Sequence, residues 1–241
     1  MEVMHPSFSE MDVVILCGGQ GTRLRTVLSD RPKGLAAFGE KTFLDILVEY
    51  LISRGFRRFI LCVGYMKDQI EDHFSKPEDE VSIEFSEEMH PLGTGGALKN
   101  ARFIIHSNTF LLLNGDSFCD VDFEQFYTVH QEKHAILSMA LVRKADSGDF
   151  GTVVLNDTSA IVSFHEKAGN EGICLVNAGI YFMEKEIFTV LPEREHFSLE
   201  NDVFPNLAHG RCTGFITDSE LIDIGTPERY QLALKKLRGR L

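Results

Sequence analysis

The chain has 241 residues, of which 44% are hydrophobic and 25% are charged, and its formal net charge is -12. This composition is typical of a soluble globular protein, and so negative a chain is a poor candidate for binding nucleic acid or an anionic membrane. The longest apolar stretches fall far short of the roughly 20 residues that cross a bilayer, so no transmembrane segment is expected.

The first ten residues and the cysteines indicate the cellular compartment in which the protein is expected. Residues 1–10 lack the basic and apolar regions of a signal peptide, and we expect them to form a disordered extension. Five cysteines are widely spaced and never form CxxC, which favours a reducing, cytoplasmic location. His130 to His134 matches a zinc-binding HExxH helix only loosely, so a solvated helix face is expected there.

Apolar runs alternate with amphipathic segments along the chain, which predicts an α/β fold with a mixed, mostly parallel sheet in a single domain. The predicted strands are 11–17, 58–63, 82–85, 109–113, 135–142, 151–155, 160–164, 173–182 and 211–217. The predicted helices are 42–54, 67–74, 95–103, 122–132, 185–191, 198–208 and 227–238. In such sheets, ligands bind at the carboxyl ends of the strands.

A glycine-rich loop, Gly18 to Leu24 (GGQGTRL), follows the first strand and precedes Arg31-Pro32-Lys33. Glycines let backbone N–H groups approach an anion closely, while Arg23 and Lys33 supply positive charge. The loop matches neither the Walker A pattern nor the GxGxxG dinucleotide fingerprint. It therefore predicts a phosphate-binding loop of another kind.

Two aspartates follow apolar runs that end in turns. Asp116 comes after Leu111 to Gly115, and Asp223 comes after Leu221-Ile222 and before a glycine turn into a helix. A carboxylate that faces phosphates at a strand end indicates Mg²⁺, which takes one or two carboxylates together with phosphate oxygens. A turn aspartate that bonds its own backbone is the structural alternative.

Further polar or glycine-rich segments lie at other predicted strand ends. Gly93-Thr94-Gly95-Gly96 leads into a helix and has the small residues that let a base or ribose approach closely. Glu166 and Lys167 end a strand and suit sugar hydroxyls and a phosphate, although an exposed ion pair explains them equally well. Gly151 and Asn177-Ala178-Gly179 open the backbone to a ligand.

Taken in order, these blocks resemble the signature of the sugar-nucleotide pyrophosphorylases, which join a sugar 1-phosphate to a nucleoside triphosphate and release pyrophosphate. Asn114-Gly115-Asp116, Ser198-Leu199-Glu200 and Asp223 to Pro227 belong to the same signature. The match covers nearly the whole chain from Met11. It implies a Rossmann-like, three-layer α/β/α fold of the nucleotide-diphospho-sugar transferase type, with a nucleotide-binding half (11–134) and a sugar-phosphate-binding half (135–241).

Within that family, the segment Val27 to Lys33 is most similar to the D-glycero-α-D-manno-heptose 1-phosphate guanylyltransferases, which implies GTP as the nucleotide and GDP-heptose for surface polysaccharide as the product. Other sugars and uridylyl, cytidylyl or thymidylyl transfer stay open, and so does a homodimer. The family usually has proline after the lysine, whereas this chain has Gly34. Losing that proline predicts a looser Lys33 segment.

The resemblance also implies a role for each site residue. Asp116 and Asp223 would hold Mg²⁺, and Arg23, Lys33 and Lys167, together with Asp116, would be catalytic. The residues implied to bind the nucleotide are Leu16, Cys17, Gly18, Gly19, Gly21, Thr22, Gly93, Thr94, Asn114 and Gly115. Those implied to bind the sugar are Gly151, Glu166, Asn177 and Gly179.

Two other classes remain as alternatives. A non-catalytic sugar-nucleotide sensor is one, although such a protein would be expected to lose a metal aspartate or Arg23, and all of these are present. A glycosyltransferase with a DxD metal motif is the other, since Asp120-Val121-Asp122 has that spacing. That motif lies at the start of a predicted helix, where a solvated cap is the simpler interpretation.

Overall fold

A computed structural model describes residues 8–24, 27–76, 80–166, 171–207 and 211–237. Its strands are β1 (Asp12–Leu16), β2 (Ala37–Phe38), β3 (Lys41–Thr42), β4 (Arg58–Val63), β5 (Ser82–Glu87), β6 (Thr109–Asn114), β7 (Ser117–Phe118), β8 (Leu137–Asp146), β9 (Thr152–Leu155), β10 (Ile161–His165), β11 (Glu171–Glu184), β12 (Cys212–Thr217) and β13 (Ile222–Asp223). Its α-helices are α1 (Phe43–Ser53), α2 (Lys67–His73), α3 (Gly93–Ala101), α4 (Phe123–Glu132), α5 (Phe204–Leu207) and α6 (Pro227–Leu237).

One mixed sheet forms the centre of the described structure. Its strands lie in the order β10-β9-β11-β6-β1-β4-β5, and β8 pairs with both β11 and β12. Strands β6, β1, β4 and β5 are parallel, whereas β11 runs antiparallel to its three partners β6, β8 and β9. This arrangement confirms the predicted α/β class with a mixed, mostly parallel sheet.

The sheet separates two hydrophobic cores. Val13 and Ile15 of β1 pack into one core and Val14 into the other, because successive strand residues point to opposite faces. All three side chains are fully buried. The first strand is therefore apolar throughout, as expected of a central parallel strand with helices on both sides.

Helix α1 shows how local sequence sets an element's ends. Thr42 accepts a hydrogen bond from the Asp45 N–H, and the Asp45 carboxylate accepts one from the Thr42 N–H, which forms a reciprocal cap. Gly55, with φ +97°, follows the helix end. The predicted helix is confirmed.

The expected disorder of residues 1–10 is wrong for Phe8–Glu10, which form a short 3-10 helix, while residues 1–7 lie outside the described part of the chain. The Phe8 side chain is only 6% exposed. Its ring stacks on Phe56 at 4.6 Å and meets Tyr127 edge-on. An aromatic residue with these partners anchors the chain before β1.

Two predicted helices differ in kind. Residues Lys185–Thr189 form a 3-10 helix, and Leu199–Val203 form a π-helix that continues into α5. Pro205 has no N–H to donate to residue 201, which disfavours a regular α-helix through this point. The Phe204 N–H reaches the Leu199 carbonyl instead.

Both predicted halves contribute strands to the same sheet, so their division into functional halves stays a prediction. All five cysteines are free. Among the described residues, no helix is long and apolar enough to cross a bilayer.

The prediction of a solvated face at His130 is wrong, because its side chain is only 1% exposed. Its Nε2 lies 3.1 Å from Glu184 Oε1 and its Nδ1 lies 2.7 Å from Ser138 Oγ. Because the carboxylate only accepts, Nε2 donates to it, and in the neutral ring Nδ1 accepts from the Ser138 hydroxyl. Burial lowers the pKa of His130 despite the nearby Glu184.

This lowered pKa predicts an acid-sensitive fold. Below about pH 6.5 an unfolded histidine binds a proton, whereas folded His130 stays neutral down to its lower pKa. As the pH falls through this range, the free energy of unfolding decreases by up to about 1.4 kcal/mol per pH unit. Urea unfolding at pH 7.5 and 5.5 should show a smaller loss in His130→Gln than in wild type. His106→Gln, at an exposed position, should behave like wild type. Equal losses in all three proteins would contradict the assignment.

Candidate active site

The carboxyl ends of the parallel strands meet at one edge of the sheet. Leu16, the last residue of β1, lies opposite Cys62 of β4 and Asn114 of β6. The Gly115 N–H donates to the Leu16 carbonyl at 2.9 Å. The segments that follow these strands therefore share one crevice, as predicted.

Two adjoining cavities, of about 330 and 240 Å³, lie in this crevice. Both are bordered by Leu16, Gly19 and Asp116. The larger is also lined by Gly18, Gln20, Glu88, Pro91, Gly93, Thr94, Ala97, Asn114 and His196. The smaller is also lined by Cys17, Gly21, Thr22, Arg23, Lys33, Gly34, Gly115 and Gly225. All ten residues predicted to bind the nucleotide thus line one or both cavities.

The glycine loop folds closely against its neighbours. Gly21 has φ +57° and accepts a hydrogen bond from the Leu24 N–H, which closes a turn. A Cβ on Gly18 would lie 2.7 Å from Glu88 Oε1, so a larger residue there would displace the Glu88 carboxylate. The Cys17 thiol points into the core, where burial raises its pKa, so Cys17 borders the cavity without offering a reactive sulfur.

The second glycine turn is engaged in packing. The N–H groups of Gly95 and Gly96 donate to the Phe197 carbonyl at 3.1 and 3.2 Å. A Cβ on Gly95 would lie 2.3 Å from the Phe197 ring. Thr94 Oγ1 donates to Glu200 at 2.6 Å and accepts from the Leu199 N–H. The turn therefore shapes the larger cavity, and these three donors are already used inside the protein.

The two predicted metal aspartates converge. Strand β13 pairs with β7, which places Asp223 opposite Ser117, the residue after Asp116. The Ile224 N–H donates to the Asp116 carbonyl at 3.0 Å. The backbones of two aspartates that are distant in sequence are thereby held next to each other just after β6.

A lysine and an arginine neutralise these carboxylates. Lys33 Nζ lies 2.6 Å from Asp116 Oδ2, with the lysine side chain 13% exposed and the aspartate 45%. Asp223 Oδ1 accepts from the Gly225 N–H at 2.8 Å and lies 3.3 Å from Arg229. Within the described ranges, no hydrogen bond ends on the other oxygen of either carboxylate.

This donor set fits a hard divalent cation. No group of three or more histidine, cysteine or carboxylate side chains able to hold a metal occurs among the described residues. Two carboxylates are nevertheless what Mg²⁺ takes when phosphate oxygens and water complete its shell. Asp116 and Asp223, each with an oxygen to spare, suit that kind of site.

Arg23 extends from the glycine loop to Asp149, with NH1 2.9 Å from Oδ2. Arg229 lies 3.7 Å from the same oxygen. The predicted catalytic residue Lys167 lies outside the described residues. Of the four predicted catalytic residues, Arg23, Lys33 and Asp116 thus meet at the smaller cavity.

The four predicted sugar-binding residues also come together. A Cβ on Gly151 would lie 3.0 Å from Glu166 Oε2, and the Asn177 N–H donates to the Gly151 carbonyl at 2.9 Å. Gly179, with φ +73°, packs against Asn114. The Asn177 side chain is occupied by Tyr181 and the Gly179 N–H, so it fixes this strand.

The expected looseness after Lys33 is wrong. Lys33–Leu35 form a 3-10 turn in which the Ala36 N–H donates to the Lys33 carbonyl. Gly34 is buried, and a Cβ there would lie 2.6 Å from Leu44 Cδ1. Close packing against α1 therefore orders this segment, although Gly34 stands where the family usually has proline.

The DxD motif is engaged elsewhere. Asp122 caps α4 by accepting from the Gln125 N–H, and Asp120 pairs with Arg54 and Tyr50. These contacts support the interpretation as a helix cap over that of a metal motif.

The residues at or beside the crevice that the sequence prediction missed include Glu88, Asp149 and Arg229. Glu88 directly follows β5, as Asp116 nearly follows β6, so the strand-end rule could have identified it. Its carboxylate accepts from the Leu92 N–H, and burial raises its pKa. Asp149 and Arg229 carry no local signal, because their role arises from contacts between distant segments.

The fold and this crevice are those of a nucleotide-transferring enzyme, and residues 12–239 match the nucleotidyl transferase family. The chain belongs to that family. Its members act on a nucleoside triphosphate and a sugar phosphate and generally use a divalent metal ion.

Among relatives, D-glycero-alpha-D-manno-heptose 1-phosphate guanylyltransferase of Campylobacter jejuni is 36% identical, over 91% of this chain and 97% of that protein. The Aneurinibacillus thermoaerophilus protein of the same name is also 36% identical, over 95% and 99%. The crystal structure of HddC from Yersinia pseudotuberculosis complexed with GMP-PN has a TM-score of 0.83 and 35% identity, covering 95% of this chain and 100% of that one.

The packing of Gly34 can be tested directly. Gly34→Ala should lower the free energy of unfolding by roughly 1–3 kcal/mol, because its methyl group overlaps the buried Leu44 side chain. Gly19→Ala is the matched control, since nothing lies within 4 Å of a Cβ at that position, and it should change stability by less than about 0.5 kcal/mol. Urea unfolding measures both. Equal effects would contradict the packing role.

Proposed function

We propose that the protein is a D-glycero-α-D-manno-heptose 1-phosphate guanylyltransferase that converts GTP and this sugar phosphate into GDP-heptose and pyrophosphate. The observation that carries the proposal is the ion pair of Lys33 with Asp116 beside the glycine loop, with Asp223 on the strand that pairs with the residue after Asp116. The names of the relatives at 36% identity, which this chain spans almost completely, support the choice of sugar and base.

The reaction needs no general base. A phosphate oxygen of the sugar 1-phosphate, already anionic, attacks the α-phosphorus of GTP, and the bond from that phosphorus to the bridging oxygen breaks as pyrophosphate leaves. The demand on the protein is positioning and neutralisation of negative charge. A crevice that brings lysine, arginine and carboxylates to one strand edge meets that demand.

Asp116 and Asp223 would hold Mg²⁺, which supplies positive charge against the phosphate oxygens. Lys33, within reach of Asp116, holds the α-phosphate. Arg23, on the glycine loop, neutralises the departing pyrophosphate. We assign the sugar phosphate to Lys167.

The two sides of the crevice suit the two substrates. The larger cavity takes the base and ribose, against the backbone of Gly18, Gly19 and Gly93. Gly151 and Glu166, next to each other on the far strands, meet the sugar hydroxyls, with Asn177 and Gly179 shaping the wall.

Five free cysteines suit a cytoplasmic enzyme.

Glu88 supports guanine as the base. The pairing edge of guanine carries two adjacent N–H donors, and a carboxylate accepts both, whereas uracil, thymine and cytosine lack that pair. Glu88 lines the larger cavity and is fixed by the Leu92 N–H at 3.0 Å. The neighbouring Glu87 instead pairs with Lys67.

A pyrophosphate-release assay tests the proposal. With Mg²⁺, GTP and the heptose 1-phosphate should give the highest kcat/KM among GTP, UTP, CTP and dTTP combined with heptose or mannose 1-phosphate. Glu88→Gln should lower kcat/KM for GTP by about 10- to 100-fold, because one N–H of guanine loses its charged acceptor. Glu87→Gln, the matched control, should not change it.

Each alternative has its own result. Release from GTP alone would indicate a hydrolase, and consumption of a finished nucleotide sugar would indicate a glycosyltransferase. Binding without turnover would indicate a sensor. Preference for another triphosphate would overturn the guanine assignment.

A further inference from the structure

The loop between β8 and β9 contacts the glycine loop through Asp149 and Arg23. It is a tight turn: the Gly148 N–H donates to Asp146 Oδ1 at 2.9 Å, and the Phe150 N–H donates to the Ser147 carbonyl at 3.0 Å. Gly148 has φ +52°, and the Ser147 side chain is fully buried. The turn therefore holds Asp149, its third residue, in a fixed place.

Asp149 interacts with two arginines through one oxygen. Its Oδ2 lies 2.9 Å from Arg23 NH1 and 3.7 Å from Arg229 NH2. Arg229 in turn lies 3.3 Å from Asp223. Arg23, Asp149, Arg229 and Asp223 thus form a continuous series of alternating charges, from the glycine loop to a proposed metal ligand.

The second arginine is held independently of Asp149. The Arg229 guanidinium lies over the Phe150 ring at 4.9 Å, and its backbone N–H donates to Thr226 Oγ1, near the start of α6. It is also less exposed than Arg23, at 29% against 56%. Asp149 therefore keeps a cationic partner when Arg23 moves away.

A guanidinium binds carboxylates and phosphates with the same planar set of donors. In the structure, the Arg23 guanidinium donates to the Asp149 carboxylate, and the Arg23 side chain also lines the smaller cavity. A triphosphate in that cavity competes with Asp149 for the Arg23 guanidinium.

We propose that Asp149 is a positioning residue that holds Arg23 in the place of a phosphate group and releases it to the β- and γ-phosphates of the incoming triphosphate. This rests on the proposed function, which places the phosphates of the triphosphate against Arg23. The exchange replaces one charge pair with another, and Arg229 continues to neutralise Asp149. Asp149 consequently orders the glycine loop before binding and weakens the binding of the nucleotide.

A double-mutant cycle on nucleotide binding tests the exchange. Titration calorimetry would measure the Kd of GTP with Mg²⁺, without sugar phosphate, for wild type, Asp149→Asn, Arg23→Met and the double variant. Asp149→Asn should tighten binding by about two- to fivefold, the range of an exposed ion pair. Arg23→Met should weaken binding, and in its background Asp149→Asn should have no effect.

Asp146→Asn is the matched control. It removes one negative charge from the same loop, and the asparagine still accepts from the Gly148 N–H. It should leave the Kd unchanged. Unchanged or weaker binding by Asp149→Asn, equal tightening by Asp146→Asn, or tightening that persists without Arg23 would each overturn the exchange.

The result is separable from the choice of base. If wild type binds another of the four triphosphates in place of GTP, guanine is wrong, and the same cycle with that triphosphate decides the role of Asp149. If it binds none of the four, both proposals fail.

Discussion

The ion pair between Lys33 and Asp116 is the contact on which the site depends. It joins the segment after the glycine loop to the end of β6, and its lysine is almost removed from solvent. A cation in such a position needs an anion beside it, because an unpaired buried charge is strongly unfavourable. Asp116 fills that need here, and a phosphate is the other anion that the proposed reaction brings.

The same logic extends across the crevice. Arg23 lies against Asp149 and Arg229 against Asp223, so each described arginine or lysine close to the proposed phosphate path has a carboxylate partner. In such a site the positive charges are neutralised by carboxylates when no substrate is bound. A bound phosphate replaces a carboxylate as the partner of a lysine or arginine. A strongly acidic chain can therefore bind a polyanion, since the local charge balance outweighs the net charge of the whole protein.

Much of this could be predicted from the sequence, for identifiable reasons. Strand periodicity placed β1 and β6, and the rule that ligands bind at strand ends then placed Gly18 to Leu24 beside Asp116. Asp223 was found from its turn and the helix that follows. Each of these signals is local, and the sheet supplies the distant connection.

What could not be predicted came from tertiary contacts. Phe8 is ordered by Phe56 and Tyr127, and Gly34 is required by the Leu44 side chain, and no spacing pattern carries either contact. The same holds for Asp149, whose role depends on its contacts with Arg23 and Arg229 from two separate segments. The absence of the family's proline after Lys33 predicted a loose segment, whereas the packing of Gly34 against Leu44 orders it.

The most direct test of the account is pyrophosphate release by Asp116→Asn at saturating Mg²⁺, GTP and sugar 1-phosphate. The account predicts a fall in kcat of about 10²-fold or more with the fold retained, because the change removes a carboxylate from the proposed metal site and the partner of Lys33. Asp122→Asn, which preserves the cap of α4, should keep wild-type turnover. Wild-type turnover by Asp116→Asn would contradict the account.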